Sequence, residues 1–267
     1  SSSKFITEKK SLELIRKLER LVSEEDARQL HRQVWVRGRI KTMNESIYYN
    51  VDAINNAINL IDGIDGLSAC LSFIALAGFL VCFLREDVWA YGILIAGLMG
   101  VLIPFLYYNL LGKAEENKKI FMGDSGSLTL GFILGFLFVK LSSDNPTVMT
   151  THEDSLLLSF TFLIVPMLDV IRVTLVRIMH HNHIFQADKN HIHHKLMRCG
   201  LSQHQSLAII LLLALFFIAL NLFLKSLLST TVIVAIDVAV WMLFHVLVNA
   251  DIRKNGQEVY LNIKRDE

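Results

Sequence analysis

The sequence lacks the features that mark secreted, disulfide-linked or nucleic-acid-binding proteins. Its 267 residues include only three cysteines, none in a Cys-x-x-Cys pair, so no disulfide framework is predicted. Lysine and arginine (26) nearly balance aspartate and glutamate (25), so the net charge says nothing about nucleic acid, and what matters is where the charges lie; no nucleic-acid partner is expected. The first forty or so residues are polar and charged, so no cleavable signal peptide is predicted.

Hydrophobic residues dominate the rest of the chain. Over all 267 residues they make up 53%, and the mean hydropathy is +0.45, as is typical of a polytopic membrane protein. We predict an all-α fold: a polytopic membrane helical bundle of about six transmembrane helices with a polar N-terminal helical arm. Pro104 and Pro166 are expected to bend their helices. The six apolar runs are 67–84, 88–111, 126–141, 155–178, 206–224 and 227–248.

The first polar cluster, Asn55–Leu67, leads into the first apolar run. Asn59, Asp62 and Asp65 are spaced by three, so on a helix they would share one face. Carboxylates at a membrane boundary are unfavourable unless a cation offsets them, and hydrated Mg²⁺ is a natural partner for their oxygens. The alternative is a helix N-terminus, where the dipole favours one aspartate but does not explain the whole stripe.

The second cluster, Lys118–Leu128, leads into the third apolar run. Gly123 and Gly126 flank Asp124 and Ser125 where a helix is predicted to begin. Backbone N–H groups at such a position bind anions, and Asp124 could hold a metal or act as a nucleophile. The alternative, that Asp124 or Ser125 is a simple N-cap, fits these residues equally well.

The third cluster, His180–Lys195, contains six of the ten histidines. Neutral imidazole could bind a transition metal, and protonated imidazole could bind phosphate. Cys199 is the only cysteine nearby, so a tetrahedral zinc site is disfavoured. Lys189 and Lys195 beside a single Asp188 favour the binding of a polyanion.

The links between the apolar runs alternate in charge. The 112–125 loop, the 180–205 loop and the tail are rich in lysine and arginine, and two crossings separate each from the next. The positive-inside rule then places all three polar clusters on the cytoplasmic side.

Asp169 and Arg172, in the fourth run, are interpreted as a structural ion pair. The predicted domains are an arm (1–50), a transmembrane core (51–250) and a cytoplasmic tail (251–267).

The three clusters resemble the three motifs of the polyprenyl-phosphate N-acetylhexosamine-1-phosphate transferases. The similarity is carried by Asn55–Leu67, Phe121–Leu130 and Asp188–Leu201. It implies a multi-pass enzyme of the bacterial inner membrane with a cytoplasmic active site. Such a Mg²⁺-dependent phosphotransferase moves sugar-1-phosphate from a UDP-sugar, typically UDP-N-acetylglucosamine, to undecaprenyl phosphate and releases UMP. The resemblance implies that this reaction is the first membrane step in the synthesis of a cell-envelope polysaccharide.

The same resemblance implies roles for individual residues. Asp124 and Asp62 would hold Mg²⁺, with Mn²⁺ as an alternative ion, and Asp65 would complete the catalytic set. The expected partners are the UDP-sugar, the polyprenyl phosphate and the bilayer. The oligomeric state is open, with a homodimer as one option, and so is the identity of the nucleophile. The substrate-binding residues would be Asn59, Lys189, His191, His193 and His194.

Departures from the family pattern keep other functions open. Family members carry more spans and an Asp-Asp pair in an earlier loop, whereas no such pair occurs here, so the N-terminal half is expected to be missing. The histidine motif also lacks two prolines within Ile184–Asp188. One alternative is therefore a catalytically impaired member that binds nucleotide-sugar or pairs with a partner. A remote one is a membrane metal transporter or hydrolase, suggested by the histidines and by Asp237 and His245.

Overall fold

Helices are the only regular elements in the part of the chain that the structure describes. This computed structural model describes residues 50–113, 115, 117–142, 154–180 and 190–260, which fall in one compact unit, Asn50–Glu267. The predicted arm therefore lies almost entirely outside the described residues. The helices are α1 (residues 50–61), α2 (Leu67–Arg85), α3 (Trp89–Leu111), α4 (Gly123–Ser142), α5 (Ser155–Phe162), α6 (Ile164–Met179), α7 (Ile192–Arg198), α8 (Gln203–Leu224) and α9 (Thr230–Lys254).

Five of these helices are long and apolar enough to cross a membrane. They are α2, α3, α4, α8 and α9, with 19 to 25 residues each. At 1.5 Å per residue they are roughly 30 to 40 Å long, enough to span the hydrocarbon core. The pair α5 and α6 meets the same criteria only when the two are taken together, so it is a sixth candidate crossing. The predicted polytopic all-α bundle is confirmed.

The fourth predicted span is bent by 74° between α5 and α6, which confirms the bend expected at Pro166. Proline lacks an N–H group, and its ring clashes with the carbonyl four residues earlier. For Pro166 that carbonyl belongs to Phe162, the last residue of α5, so the helix stops there and restarts with Pro166 in its first turn. Pro104, by contrast, lies inside the continuous helix α3.

The broken pair connects the two ends of the bundle. Before α5, Asp154 lies 3.8 Å from Lys225, in the turn that joins α8 to α9. In α6, Asp169 lies 2.8 Å from His191, just before α7 at the opposite end. These contacts favour a broken span over a loop that returns to the side from which it entered.

The bundle packs around α2. The membrane span of this helix is 50% buried, against 17% for α3, whose outer face carries exposed residues such as Ile93 and Val101. One core cluster joins α1, α3 and α4 to α2 around Phe79. A second joins α6, α7, α8 and α9 to α2 around Phe217 and Trp241. Because α2 belongs to both clusters, its first residues lie where the two halves of the bundle meet.

Small residues on α4 allow α1 to approach closely. A Cβ atom on Gly131 would lie only 2.7 Å from the Cα atom of Asn55, and Gly135 is similarly close to α1. Small residues at four-residue spacing are a common way for membrane helices to pack. One turn earlier, Ser127 Oγ donates to Asn59 Oδ1 at 2.6 Å. These contacts hold the end of α1 beside the start of α4.

Polar side chains join the broken span to the last two helices. Asn221 of α8 donates through Nδ2 to Thr161 Oγ1 of α5 and to Asp237 Oδ2 of α9, each at 2.9 Å. All three side chains are buried. Buried polar groups need hydrogen-bond partners, so the amide of Asn221 stabilises the packing of three helices at once.

We expect Asn221→Leu to lower the free energy of unfolding by about 1–3 kcal/mol, because it leaves the buried acceptor on Asp237 without its donor. The comparison is Leu222→Ala on the exposed face of the same helix, which should change stability by roughly 0.5 kcal/mol or less. Unfolding of the two variants in detergent measures the difference. Equal stability of both would show that the Asn221 contacts do not hold the helices together.

Candidate active site at one end of the bundle

The loop between α1 and α2 carries the first predicted cluster. α1 ends at Ile61, so Asp62 and Asp65 lie in the loop. The expectation that both would continue the helical face of Asn59 is therefore wrong. Gly66 ends the loop with a φ of 76°, a left-handed conformation that glycine adopts readily. This turn separates α1 from α2 and leaves the two carboxylates at the end of the bundle.

Asp62 is half-buried beside two other carboxylates. Its Oδ1 atom accepts a hydrogen bond from Ser68 Oγ at 2.6 Å. Burial raises the pKa of Asp62, and the charges of Asp124 and Asp65 act in the same direction, while the bond from Ser68 opposes them. Because burial and like charge both disfavour the ionised form, a cation bound among these carboxylates would be stabilised there.

Asp65 is paired with a lysine from the second cluster. Lys119 Nζ lies 2.6 Å from Asp65 Oδ2. Asn109 of α3 donates from Nδ2 to the carbonyl oxygen of Ile120 at 2.8 Å, which ties the segment before α4 to the end of α3. The acidic loop and the second cluster therefore lie side by side.

Asp124 is exposed in the first turn of α4. The helix begins at Gly123, whose φ is 63°, so Asp124 and Ser125 lie within the first turn rather than at the N-cap position that was the alternative. A negative charge in a first turn is favoured by the helix dipole. The dipole thus stabilises the Asp124 carboxylate.

These residues surround an open cleft with a volume of about 400 Å³. Three helices begin at its wall: α2 contributes Ser68, α4 contributes Gly123 and Asp124, and α8 contributes Gln203. The backbone N–H groups of a first helical turn have no partner within the helix and attract anions. The cleft therefore offers helix ends that attract anions next to carboxylates that attract cations.

A buried ion pair anchors the third cluster. Asp169 Oδ1 and Arg172 Nη2 are 2.7 Å apart and almost fully buried, which confirms the predicted structural pair. Asp169 Oδ2 lies 2.8 Å from His191 Nδ1, and the backbone N–H of Ile192 donates to Asp169 Oδ1 at 3.2 Å. Arg172 also donates to the carbonyl oxygen of Asn190 at 2.6 Å. This pair therefore fixes the start of the histidine helix α7.

His193 brings the third cluster against the first. Its ring packs so closely on Gly63 that a Cβ atom there would overlap the imidazole. The side chain is 1% exposed, and neither ring nitrogen has a hydrogen-bond partner among the described residues. Burial, and then the neighbouring His194, lower the pKa of His193 to about 3, so the ring is neutral near pH 7. Of the two forms considered from the sequence, the protonated one is therefore disfavoured for this histidine.

The remaining predicted residues are placed as follows. Asn59 is half-buried behind the cleft and bonded to Ser127. The ring centroid of His194 lies 4.2 Å from that of His193, and the centroid of His191 lies 6.1 Å from it. Lys189 lies outside the described residues, as does the whole of 181–189. The structure thus brings Asp62, Asp65 and Asp124 around one cleft, whereas His191, His193 and His194 do not line it and only His193 packs on Gly63.

Sequence reasoning missed several contacts that position this site. Ser68 and Ser127 lie in apolar runs, where a serine carries no signal of its own. Asp169 was recognised as an ion-pair partner, but its contact with His191 depends on how α6 meets α7. Gln203 follows Ser202, which forms a capping box with Gln205, and only the fold places this helix start at the cleft.

Removing the Asp169 side chain, which anchors α7, should make the protein easier to unfold. We expect Asp169→Ala to lower the free energy of unfolding by about 3–5 kcal/mol, because it leaves the Arg172 guanidinium buried without its counter-ion. The same substitution at Asp154, whose ion pair with Lys225 is partly exposed, should lower it by about 0–1 kcal/mol. Thermal unfolding in detergent compares the two. A similarly small loss of stability in both variants would show that the buried Asp169–Arg172 pair contributes little to the free energy of unfolding.

No group of three or more His, Cys, Asp or Glu side chains is arranged to hold a metal ion in the described ranges. Asp237 and His245 are buried in α9 but belong to no such group there, so the transporter or hydrolase alternative gains no metal site from them. A magnesium site does not need a group of three such side chains. Mg²⁺ is commonly bound by one or two carboxylates together with substrate phosphates and water.

The fold and the cleft define a class: polytopic helical membrane proteins whose bundle carries an acidic cleft among helix N-termini at one end. Residues 31–142 match the model of glycosyl transferase family 4. This match covers the first two polar clusters, and together with the curated relatives it confirms the resemblance that the sequence indicated.

Curated relatives agree with this match. The chain is 38% identical over 177 residues to a Bacillus subtilis (strain 168) protein named as a probable undecaprenyl-phosphate N-acetylglucosaminyl 1-phosphate transferase, covering 65% of this chain and 46% of the relative. It is 30% identical over 172 residues to the undecaprenyl-phosphate alpha-N-acetylglucosaminyl 1-phosphate transferase of Escherichia coli (strain K12), covering 62% and 44%. The chain thus spans less than half the length of these relatives. No solved structure matches it.

Proposed function

We propose that this chain carries the catalytic cleft of a sugar-1-phosphate transferase. The donor is a UDP-sugar, UDP-N-acetylglucosamine by analogy with the names of the relatives, and the acceptor is undecaprenyl phosphate. The product is a polyprenyl-diphospho-sugar, and UMP leaves. The observation that carries the proposal is the cleft in which Asp62, Asp65 and Asp124 meet three helix N-termini beside the membrane spans.

Phosphoryl transfer needs this combination of charges. The reaction depends on positioning and on stabilising the negative charge of the transferred phosphoryl group, with little covalent chemistry for the protein itself. Helix N-termini bind phosphate oxygens through backbone N–H groups. The starts of α2, α4 and α8 would therefore bind and orient the diphosphate, and the apolar spans below them would hold the lipid chain of the acceptor.

The carboxylates fit a divalent cation. Burial raises the pKa of Asp62, with Asp124 and Asp65 adding to the effect, so the group lacks a compensating charge that a cation would supply. We assign Asp124 and Asp62 as the residues that would hold Mg²⁺ or Mn²⁺. When bound, the ion would neutralise charge on the donor phosphates.

The other predicted residues receive supporting roles in this proposal. Asp65, next to Asp62, would help to orient the metal and the nucleotide end of the donor. The side-chain oxygen of Asn59 accepts from Ser127, so Asn59 would position the acidic loop. His191, His193 and His194, with Lys189, would bind donor phosphates, and His193 would do so as a neutral hydrogen-bonding ring.

We place the cleft on the cytoplasmic side of a bacterial inner membrane. The donor is water-soluble, whereas the acceptor is a lipid, so the two meet at a membrane surface. Basic residues concentrate at the cleft end of the bundle, in agreement with the positive-inside rule. They are Lys113, Lys118, Lys119, Lys195, Arg198, Arg253 and Lys254. A homodimer stays a prediction.

The test is UMP release by the purified chain in detergent or by membranes that contain it. We expect release that requires the UDP-sugar, the polyprenyl phosphate and Mg²⁺ together. Comparing UDP-N-acetylglucosamine with UDP-glucose would show which sugar is accepted. Binding of UDP-sugar without any UMP release would contradict the proposal and would favour the non-catalytic alternative.

A further inference from the structure

The ion pair between Lys119 and Asp65 lies at the cleft that the proposed reaction uses. The ammonium and the carboxylate are 2.6 Å apart, and 26% and 23% of the two side chains are exposed. Asp65 lines the cleft beside Asp62 and Asp124. One of the three carboxylates is therefore neutralised by a side chain of the protein itself.

The backbone that carries Lys119 is held in place on both sides. A Cβ atom on Gly112 would lie 2.6 Å from the carbonyl oxygen of Lys118 and 2.9 Å from the Cα atom of Lys119. On the other side, Asn109 Nδ2 donates to the carbonyl oxygen of Ile120 at 2.8 Å. The ammonium group can therefore change partner by rotating its four-carbon stem, without movement of the chain.

Little energy opposes such an exchange. A partly exposed ion pair contributes little net stability, since the two charges are well solvated when apart. Lys119 Nζ also lies 5.7 Å from the ring centroid of Phe121, which lines the cleft. The ammonium is thus close to both Asp65 and the space that a ligand would occupy.

We propose that Lys119 is an exchangeable counter-ion of Asp65. In the ligand-free protein it neutralises this carboxylate. When a nucleoside diphosphate enters, the ammonium moves to a phosphate oxygen and Asp65 becomes available to the divalent cation that accompanies the ligand. No covalent bond forms or breaks in this exchange. The inference rests on the proposed function for the identity of the ligand, and on the Lys119–Asp65 contact for the exchange itself.

Lys119→Gln separates this role from a merely structural one by two binding measurements. Mn²⁺ titration of the ligand-free protein, followed by electron paramagnetic resonance, should show tighter binding by about 3- to 10-fold, because a positive charge next to the carboxylates is gone. UDP-N-acetylglucosamine with Mg²⁺, measured by calorimetry, should bind about 10-fold more weakly because a charged contact to phosphate is lost. If the substitution instead distorted the site, both Mn²⁺ and UDP-N-acetylglucosamine would bind more weakly.

Two further variants act as controls. Lys254→Gln, at the exposed end of α9, removes the same charge away from the cleft lining and should leave both affinities within about 2-fold of the parent, because exposed charges at a distance are screened by salt. Lys119→Arg keeps the positive charge and should keep Mn²⁺ affinity near that of the parent. Unchanged Mn²⁺ affinity in Lys119→Gln, or a loss of both affinities, would overturn the inference. Absent UMP release by the parent chain would instead overturn the proposed function, and the Mn²⁺ titration would still decide on the ion pair.

Discussion

Asp124→Asn is expected to reduce UMP release by roughly 100- to 1000-fold, the range found when one group that stabilises transition-state charge is removed. Asparagine keeps the size of the side chain but removes the charge that would hold the divalent cation. Asp124 is exposed in the first turn of α4, so the substitution disturbs no buried contact. The loss should therefore appear in the rate, with an unfolding temperature close to that of the parent.

Asp87→Asn is the matched control for this experiment. Asp87 is an exposed residue in the turn between α2 and α3, at the opposite end of α2 from the acidic loop. Its φ is 57°, a conformation that asparagine tolerates well. The same chemical change there should leave UMP release unaltered. Parent-like turnover by Asp124→Asn, or an equal loss in Asp87→Asn, would remove Asp124 from the proposed mechanism.

Gly63→Ala is expected to impair both stability and activity, because the added methyl group overlaps the ring of His193. Forcing extra volume into a packed site lowers the free energy of unfolding by about 1–3 kcal/mol. We also expect UMP release to fall by roughly 100-fold, because displacing a catalytic group by about 1 Å has an effect of this size. The displaced groups would be His193 on one side and the Asp62 loop on the other.

A double-mutant cycle tests whether His193 is the cause. Adding His193→Ala to Gly63→Ala removes the overlapping ring, so the double variant should be more stable than the sum of the two single effects predicts. Activity should stay low, since the imidazole is gone. Gly97→Ala, where no atom lies within 4 Å of the added Cβ, should be neutral or slightly stabilising because alanine favours helix more than glycine. Additive stability changes at positions 63 and 193 would show that the two residues are not in contact.

The acidic loop illustrates what sequence periodicity cannot predict. The three-residue spacing of Asn59, Asp62 and Asp65 suggested one helical face, but α1 ends at Ile61. The end of a helix depends on where the chain must turn to pack, and here Gly66 adopts a left-handed conformation at the start of α2. The residues were identified correctly as a cluster, whereas their backbone conformation was not.

The amino-acid sequence alone determined which segments are membrane helices, because a run of about 20 apolar residues is sufficient for a helix in a bilayer. It also determined that three polar clusters share one end of the bundle, since this follows from counting crossings. Tertiary structure decided the contacts within that end. His193 lies on Gly63, Asp169 holds His191, and Lys119 neutralises Asp65. These contacts join segments that are distant in the chain, and their geometry depends on how the helices pack rather than on any local pattern.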